Sequence, residues 1–207
     1  MPTKRTYGDR CGIARALDLV GERWALLVVR ELLLGPKRFT DLRAGLPNIG
    51  PDVLSQRLRD LEAGGVVERA TLPPPAASQV YGLTEWGREL EPVVLGLGRW
   101  GSWAPVPSED APLGPDAAML ALKTMFAPAD GLRARYEVRF GEDVYDVRVA
   151  GDRLDITRGT SEHPDARIAT DPGTLATVLW HDGRADEIAV EGDREAFRRF
   201  LDLFRKT

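Results

Sequence analysis

One stretch constrains this chain more than any other: Ile49 to Glu62, IGPDVLSQRLRDLE. Turned at about 100° per residue, a helix over these residues gathers Val53, Leu54, Leu58 and Leu61 on one side. Asp52, Ser55, Gln56 and Arg59 gather on the other, with Arg57 on the flank near the apolar side. Against water alone, Glu and Lys would suffice for the polar face. Gln and Arg are the side chains that pair bidentately with adenine and guanine edges, and Ser can meet either. In isolation the pattern also fits an ordinary amphipathic surface helix, so its neighbours decide.

Downstream, Gly64-Gly65 stops the helix and Val66 to Leu72 forms a short strand rich in β-branched residues. Pro73-Pro74-Pro75 cannot continue a sheet, and Gln79 to Thr84 makes the return strand. Helix, strand, loop, strand is a winged-helix arrangement. The wing tip is apolar and proline-stiffened, with only Arg69 near enough to meet phosphate, so most phosphate contacts must come from elsewhere. Upstream, Gly12 to Val20 carries Ile13, Ala16, Leu17 and Val20 at helical spacing. Glu22 to Leu34 is apolar almost all round and suits a central buried helix. Phe39 to Leu46 is a short helix that Pro47 terminates. Lys37, Arg38 and Arg43 lie in and just before it, placed to contact phosphates. With Thr40, Pro51, Asp52, Ser55, Gln56, Arg57, Arg59 and Arg69 they make up the expected surface for double-stranded operator DNA.

Five segments in register carry a family resemblance: Arg10 to Trp24, Arg30-Glu31-Leu32, Phe39 to Leu42, Ile49 to Leu61 and Tyr81 to Gly87. Together they resemble the HxlR family of bacterial winged-helix transcriptional regulators, over roughly the first half of the chain. The resemblance implies homodimers that bind inverted-repeat operators as repressors or activators. Gly12 stands where many relatives carry proline, a departure that matters little for DNA binding.

A dimer has its own signal. Trp86, Leu90, Val93, Leu97 and Trp100 recur at helical spacing and Trp103 extends the stripe; Pro92 kinks or delimits the element. Gly96, Gly98 and Gly101 weaken a solitary helix but let another helix approach closely. The alternative is that this segment folds back on its own domain. A two-fold dimer would set its half-sites about 10 bp apart, or a multiple of that. Cys11, the single cysteine, also has two readings. It is a small buried hydrophobe, or a redox switch whose thiolate Arg10 and a following helix N-terminus would stabilise. Some regulators that the chain resembles sense thiol stress at this place in the motif.

Residues 104–115, APVPSEDAPLGP, are Pro-rich and aperiodic, which divides the chain into a winged-helix and dimerisation domain (1–104), a linker (105–115) and a second domain (116–207). Residues 1–105 hold 14 Lys+Arg against 12 Asp+Glu and the remainder 14 against 20, so a net −4 conceals a mildly basic DNA-facing half and an acidic half. Lys4, Arg5 and Arg10 could form an arm near DNA, but a frayed terminus is the better reading. No apolar run is long enough to span a membrane and the N-terminus lacks an apolar core, so a cytoplasmic protein is expected, as the lone cysteine also implies.

The second domain is expected to be α+β. Asp116 to Phe126 is an amphipathic helix, and 133–140, 143–149 and 153–157 alternate polar and apolar as an antiparallel meander with one buried face. Strand 166–170, helix 173–180, strand 188–192 and closing helix 194–204 follow. Asp165 to Pro172, Leu175 to Gly183 and Val190 to Phe197 resemble the C-terminal half of the sterol carrier protein type 2 fold. That resemblance implies an apolar small-molecule ligand held between an antiparallel sheet and its helices. Candidate pocket residues are Met119, Leu122, Met125, Phe126, Leu179, Trp180, Phe200 and Phe204, with Leu175, Phe197 and Leu201 beside them. Filling a core is the competing role for most of them. His163 and His181 lie in expected loops without metal-ligand spacing, and neither a phosphate loop nor a nucleophile elbow is present, so no enzyme, cofactor or metal is expected. The expected function is a dimeric DNA-binding regulator modulated by an apolar ligand. Its alternative is a thiol switch at Cys11, with the C-terminal half serving dimerisation or partner docking.

Overall fold

The computed structural model describes residues 6–71, 78–105 and 111–205. Leu72 at the end of the expected strand, residues 73–77 of the expected wing loop, 106–110 of the expected linker, and Lys4 and Arg5 of the arm lie outside the described residues. The chain divides into two compact units, Met1–Val94 and Leu95–Thr207.

The first unit contains α1 (Gly12–Val20), α2 (Ala25–Leu32), α3 (Phe39–Gly45), α4 (Pro51–Ala63), β1 (Val67–Thr71), β2 (Gln79–Leu83) and α5 (Glu85–Arg88); the division falls within α6 (Glu91–Gly101). Leu54, Leu58 and Leu61 of α4 are buried against α2 and α3 through Val28, Val29 and Leu42. Gly65, at φ +71°, closes α4 in the left-handed region a C-terminal glycine serves, and Val66 N–H donates to the Leu61 carbonyl at 2.9 Å. Strands β1 and β2 pair antiparallel from Val67↔Leu83 to Thr71↔Gln79, forming the expected hairpin. Thr84 caps α5 by accepting from Gly87 N–H at 2.9 Å. A Cβ at Gly87 would lie 2.1 Å from the Val66 carbonyl oxygen, so only glycine fits there.

In α1 only Val20 is buried, while Ile13 is 72% and Leu17 42% exposed, so its apolar stripe faces outward. Two expectations for this unit need correction. Helix α2 begins at Ala25 rather than Glu22, because residues 21–24 turn and Trp24 adopts φ +77°. Val53 is exposed and not part of the α4 core face: it sits about 100° around the helix from Leu54. The stripe from Trp86 to Trp103 is two helices, with Pro92 in the first turn of α6, where a missing N–H costs nothing. Leu90 packs on the first unit's core, whereas Trp86, Val93, Leu97, Trp100 and Trp103 are exposed.

The second unit holds α7 (Pro115–Met125), β3 (Arg133–Phe140), β4 (Asp143–Ala150), β5 (Arg153–Arg158), β6 (Ala166–Thr170), α8 (Pro172–Trp180), β7 (Ala189–Gly192) and α9 (Arg194–Phe204). The sheet order is β5-β4-β3-β6-β7. It is mixed, not antiparallel as expected: β6 returns past β4 to pair parallel with β3. Tyr136, Val138, Tyr145 and Val147 are buried on one sheet face, and Tyr136 meets Phe200 of α9 edge-on at 5.1 Å. Asp171 caps α8 through Thr174 N–H at 2.9 Å, as its position ahead of Pro172 implies. Asp116, in the first turn of α7, is 3% exposed and accepts from Tyr145 Oη at 2.7 Å and from the Arg158 guanidinium. Burial and that carboxylate push the Tyr145 phenol far above its usual range.

The opposite sheet face is also buried at its centre, contrary to the single buried face expected. Glu137 and Asp146 sit directly across from each other on β3 and β4 and are 2% and 3% exposed. Arg135 grips Asp146 bidentately at 2.8 and 2.8 Å, Arg148 adds a bond at 2.7 Å, and Arg139 donates to Glu137 at 2.7 Å. Ser161 ties its loop to both, its N–H to Glu137 at 2.9 Å and its hydroxyl to Asp146 at 2.5 Å. The Arg135 bonds hold the Asp146 carboxyl well below the usual range. Burial raises the Glu137 carboxyl, but Arg139 and the Ser161 N–H outweigh it and its value falls. Carboxyls lowered in the folded state stabilise it above their unfolded values and lose that contribution as pH falls. The melting temperature of the full chain should therefore fall from about pH 4 downward. The Asp146→Asn variant should be less stable at neutral pH and show a shallower acid dependence.

Candidate nucleic-acid interface

The polar face of α4 forms as its periodicity requires. Asp52, Gln56 and Arg59 are exposed and Ser55 is half-buried. Along the helix, Arg59 Nη2 donates to Gln56 Oε1 at 2.7 Å and Gln56 Nε2 donates to Asp60 Oδ1 at 2.8 Å. Pro51 opens the helix after Gly50, which brings no side chain to the first-turn amides, so α4 presents uncapped N–H groups at its start. Thr40 and Arg43 of α3 are exposed, and Arg38 donates through Nε to Ser78 Oγ at 2.9 Å beside the wing. Arg69 on β1 pairs with Glu62 at 3.0 Å and lies over the Tyr81 ring at 5.3 Å.

Two expected DNA contacts are occupied elsewhere. Lys37 was expected at phosphate, but its side chain is 10% exposed and its Nζ lies 2.5 Å from Oε2 of the buried Glu31. Arg57 is 14% exposed, held between Glu22 at 3.8 Å and Asp60 at 3.4 Å, because its place on the flank turns it toward the core side of α4. Sequence reasoning missed Glu31 as well: it looked like one polar position on an apolar helix. It is 1% exposed and also receives Arg30 Nη2 at 2.8 Å, whose guanidinium reaches the Gly45 carbonyl at 3.4 Å. Sequence reasoning did not single out Asp60 either; its i+4 relation to Gln56 is the signal that could have found it.

Cys11 is exposed at the N-cap of α1, so the buried reading of it falls; its N–H donates to Asp9 Oδ1 at 2.9 Å. In the second unit, Met119, Leu122, Leu179, Phe200 and Phe204 are buried, whereas Met125, Phe126 and Trp180 are half-buried. Trp180 Nε1 donates to the Phe204 carbonyl at 2.9 Å. A cavity of about 440 Å³ lies beside it, lined by 178–183 and Arg205, and of the pocket candidates includes only Leu179 and Trp180. Among the described residues no group of His, Cys, Asp or Glu could hold a metal, and no helix is long and apolar enough to cross a membrane.

Helix, turn, helix and hairpin wing, with a Gln- and Arg-bearing second helix, define a winged helix-turn-helix DNA-binding protein. The chain belongs to the HxlR-like helix-turn-helix family, whose model matches residues 19–107. It is 40% identical over 86 residues to the uncharacterized HTH-type transcriptional regulator YvaP of Bacillus subtilis (strain 168), spanning 42% of this chain and 80% of that one. It is 42% identical over 89 residues to the uncharacterized HTH-type transcriptional regulator Rv3095 of Mycobacterium tuberculosis, spanning 43% of this chain and 56% of that one. Among solved structures, the redox regulator HypR in its oxidized form matches 46% of this chain and 99% of its own, at 35% identity and a TM-score of 0.43. The protein is thus a transcriptional regulator of this family.

Removing Glu31 strands two partly buried cations, so Glu31→Ala should cost about 3–5 kcal/mol in urea unfolding. Arg43→Ala should leave unfolding unchanged, weaken DNA binding evenly across sequences and lower the salt slope by about 1.

Proposed function

We propose that this regulator binds operator DNA as a two-fold homodimer and reads bases with Ser55, Gln56 and Arg59 of α4. The observation that carries this reading is the exposed Gln56–Arg59 face on a helix whose other face is fixed in the core. Arg38, Thr40, Arg43 and the α4 amide terminus would meet the backbone, since phosphate contacts set register and base contacts set sequence. Selection from a random duplex pool should yield an inverted repeat. Arg59→Ala should then cost about 1–3 kcal/mol and flatten preference at one base position. A uniform loss on every sequence would place Arg59 on phosphate instead.

The dimer reading is supported by apolar surface. Ile13 and Leu17 on α1, and Val93, Leu97 and Trp100 on α6, are each at least 42% exposed. Two such stripes in one chain are costly in water and favour burial against a second copy. The C-terminal unit would serve as sensor for an apolar molecule, with the half-buried Met125, Phe126 and Trp180 as its wall. Native mass spectrometry should show a dimer for the wild type and a monomer for Trp100→Glu. A discrete extra mass would identify a ligand class. A clean dimer would leave the C-terminal unit a structural or docking role.

A second reading is favoured by the exposure of Cys11 at the head of α1. Oxidation or adduct formation there would alter the α1 surface that the dimer would bury. Peroxide or quinone treatment should change operator affinity of the wild type and leave Cys11→Ser unaffected. An identical response in both proteins would remove the thiol from the mechanism.

A further inference from the structure

We propose that Asp60 is a specificity-positioning residue: its carboxylate fixes the Gln56 amide so that Gln56 presents an adenine-reading edge. The inference rests on the operator-binding reading above. A glutamine amide offers two N–H donors and an oxygen with two lone pairs, and its two orientations present opposite patterns to a base. In solution both are available. Here they are not equivalent. Asp60 Oδ1 can only accept, and it lies 2.8 Å from Gln56 Nε2. Arg59 Nη2 can only donate, and it lies 2.7 Å from Gln56 Oε1. A flipped amide would set oxygen against carboxylate and NH2 against guanidinium, two repulsive contacts in place of two charge-assisted bonds.

One N–H and one lone pair of Gln56 stay uncommitted after both bonds are made. That remaining pair is what bidentate recognition of adenine N7 and N6–H2 consumes. The chain Arg59–Gln56–Asp60 therefore brings the amide to DNA already oriented, without an ordering cost at the moment of contact. Asp60 is held in turn: Arg57 Nη1 stands 3.4 Å from its Oδ2, and the Arg57 side chain is 14% exposed and anchored toward Glu22. An acidic residue beside a DNA-reading face repels phosphate, so its presence weakens binding to every sequence. Its compensation is discrimination at one base pair.

The test is selection from a random duplex pool followed by titration of single-base variants of the selected site. The proteins are the wild type, Asp60→Ala, Asp60→Asn, Gln56→Ala and the double variant Asp60→Ala/Gln56→Ala. Failure of the wild type to select any sequence would sink the operator-binding reading itself. Given a selected site, the proposal expects Asp60→Ala to bind non-cognate DNA more tightly while its preference for adenine at one position drops roughly tenfold. Gln56→Ala should lose the same position, and the double variant should discriminate no worse than Gln56→Ala. Asp60→Asn, whose amide oxygen can still accept from Gln56, should recover part of the preference. The proposal is overturned if Asp60→Ala keeps full adenine preference, or if the double variant loses a second, independent position. Equal melting temperatures across the set separate these outcomes from misfolding.

Discussion

The winged helix depends on one buried carboxylate. Glu31 sits in α2 at 1% exposure and holds two cations, Arg30 beside it and Lys37. Arg30 reaches on to the Gly45 carbonyl at the end of α3. Lys37 does more with its backbone, exchanging hydrogen bonds with Tyr81 of β2 at 2.9 and 2.8 Å. Through these two residues the carboxylate on α2 thus fixes the turn before α3, the end of α3 and the root of the wing. A buried ion pair is a poor source of net stability, because desolvation consumes most of the Coulombic gain. What it supplies is direction: apolar contacts between α2 and α3 tolerate sliding, whereas a charge with two assigned partners does not. Helix α4, packed on the same core, inherits that register.

Much of this was legible in the sequence, for identifiable reasons. The α4 face, its glycine stop, the hairpin and the capped α8 each follow from periodicity or from residues with a single conformational use, such as Gly65 and Asp171-Pro172. Residues whose role depends on distant partners were not legible. Lys37 and Arg57 looked like cations beside DNA; nothing local reveals that Glu31 pairs with Lys37, and for Arg57 only the i+3 spacing to Asp60 hints at a partner, not the contact with Glu22. The α1 stripe is a different case: Ile13 and Leu17 have core spacing, yet spacing shows that a face is apolar, not what covers it. The parallel pairing of β6 with β3 escaped because strand direction is set by where a connection returns, and seven residues between β5 and β6 permit either edge of the meander.

The C-terminal unit solves a different problem. Its five-stranded sheet has one face packed against α9 through Tyr136 and Phe200; in sheets of this kind the other face ordinarily carries solvated polar residues. Instead Glu137 and Asp146 are buried opposite each other, a pairing of like charges that would be destabilising alone. Arg135, Arg139 and Arg148 neutralise them and Ser161 closes the site from its loop. The arginines keep their stems on the sheet and part of their heads in water, so charge replaces the missing apolar layer. Asp116 with Tyr145 and Arg158 repeats the device at the start of α7. A unit built this way derives its rigidity from ionised carboxylates, and its acidic composition is structural before it is functional.

In a two-fold dimer, regulation would act through what the two α4 helices share. A ligand or a modified thiol changes operator affinity only if it favours one spacing of those helices over another; tight binding without that difference shifts nothing. In the first unit α1 is placed to transmit such a difference. Its outer face is apolar and exposed, its head carries Cys11, and its inner side packs against α4. Just beyond its end, Glu22 meets Arg57 of α4 at 3.8 Å, and Arg57 in turn meets Asp60 at 3.4 Å. A displacement of α1 by the interface it would bury therefore bears on the reading helix through packed leucines and one ion pair. The same ion pair leads to the carboxylate that orients Gln56. Spacing and base preference are thereby physically adjacent, and a change at α1 has a route to both.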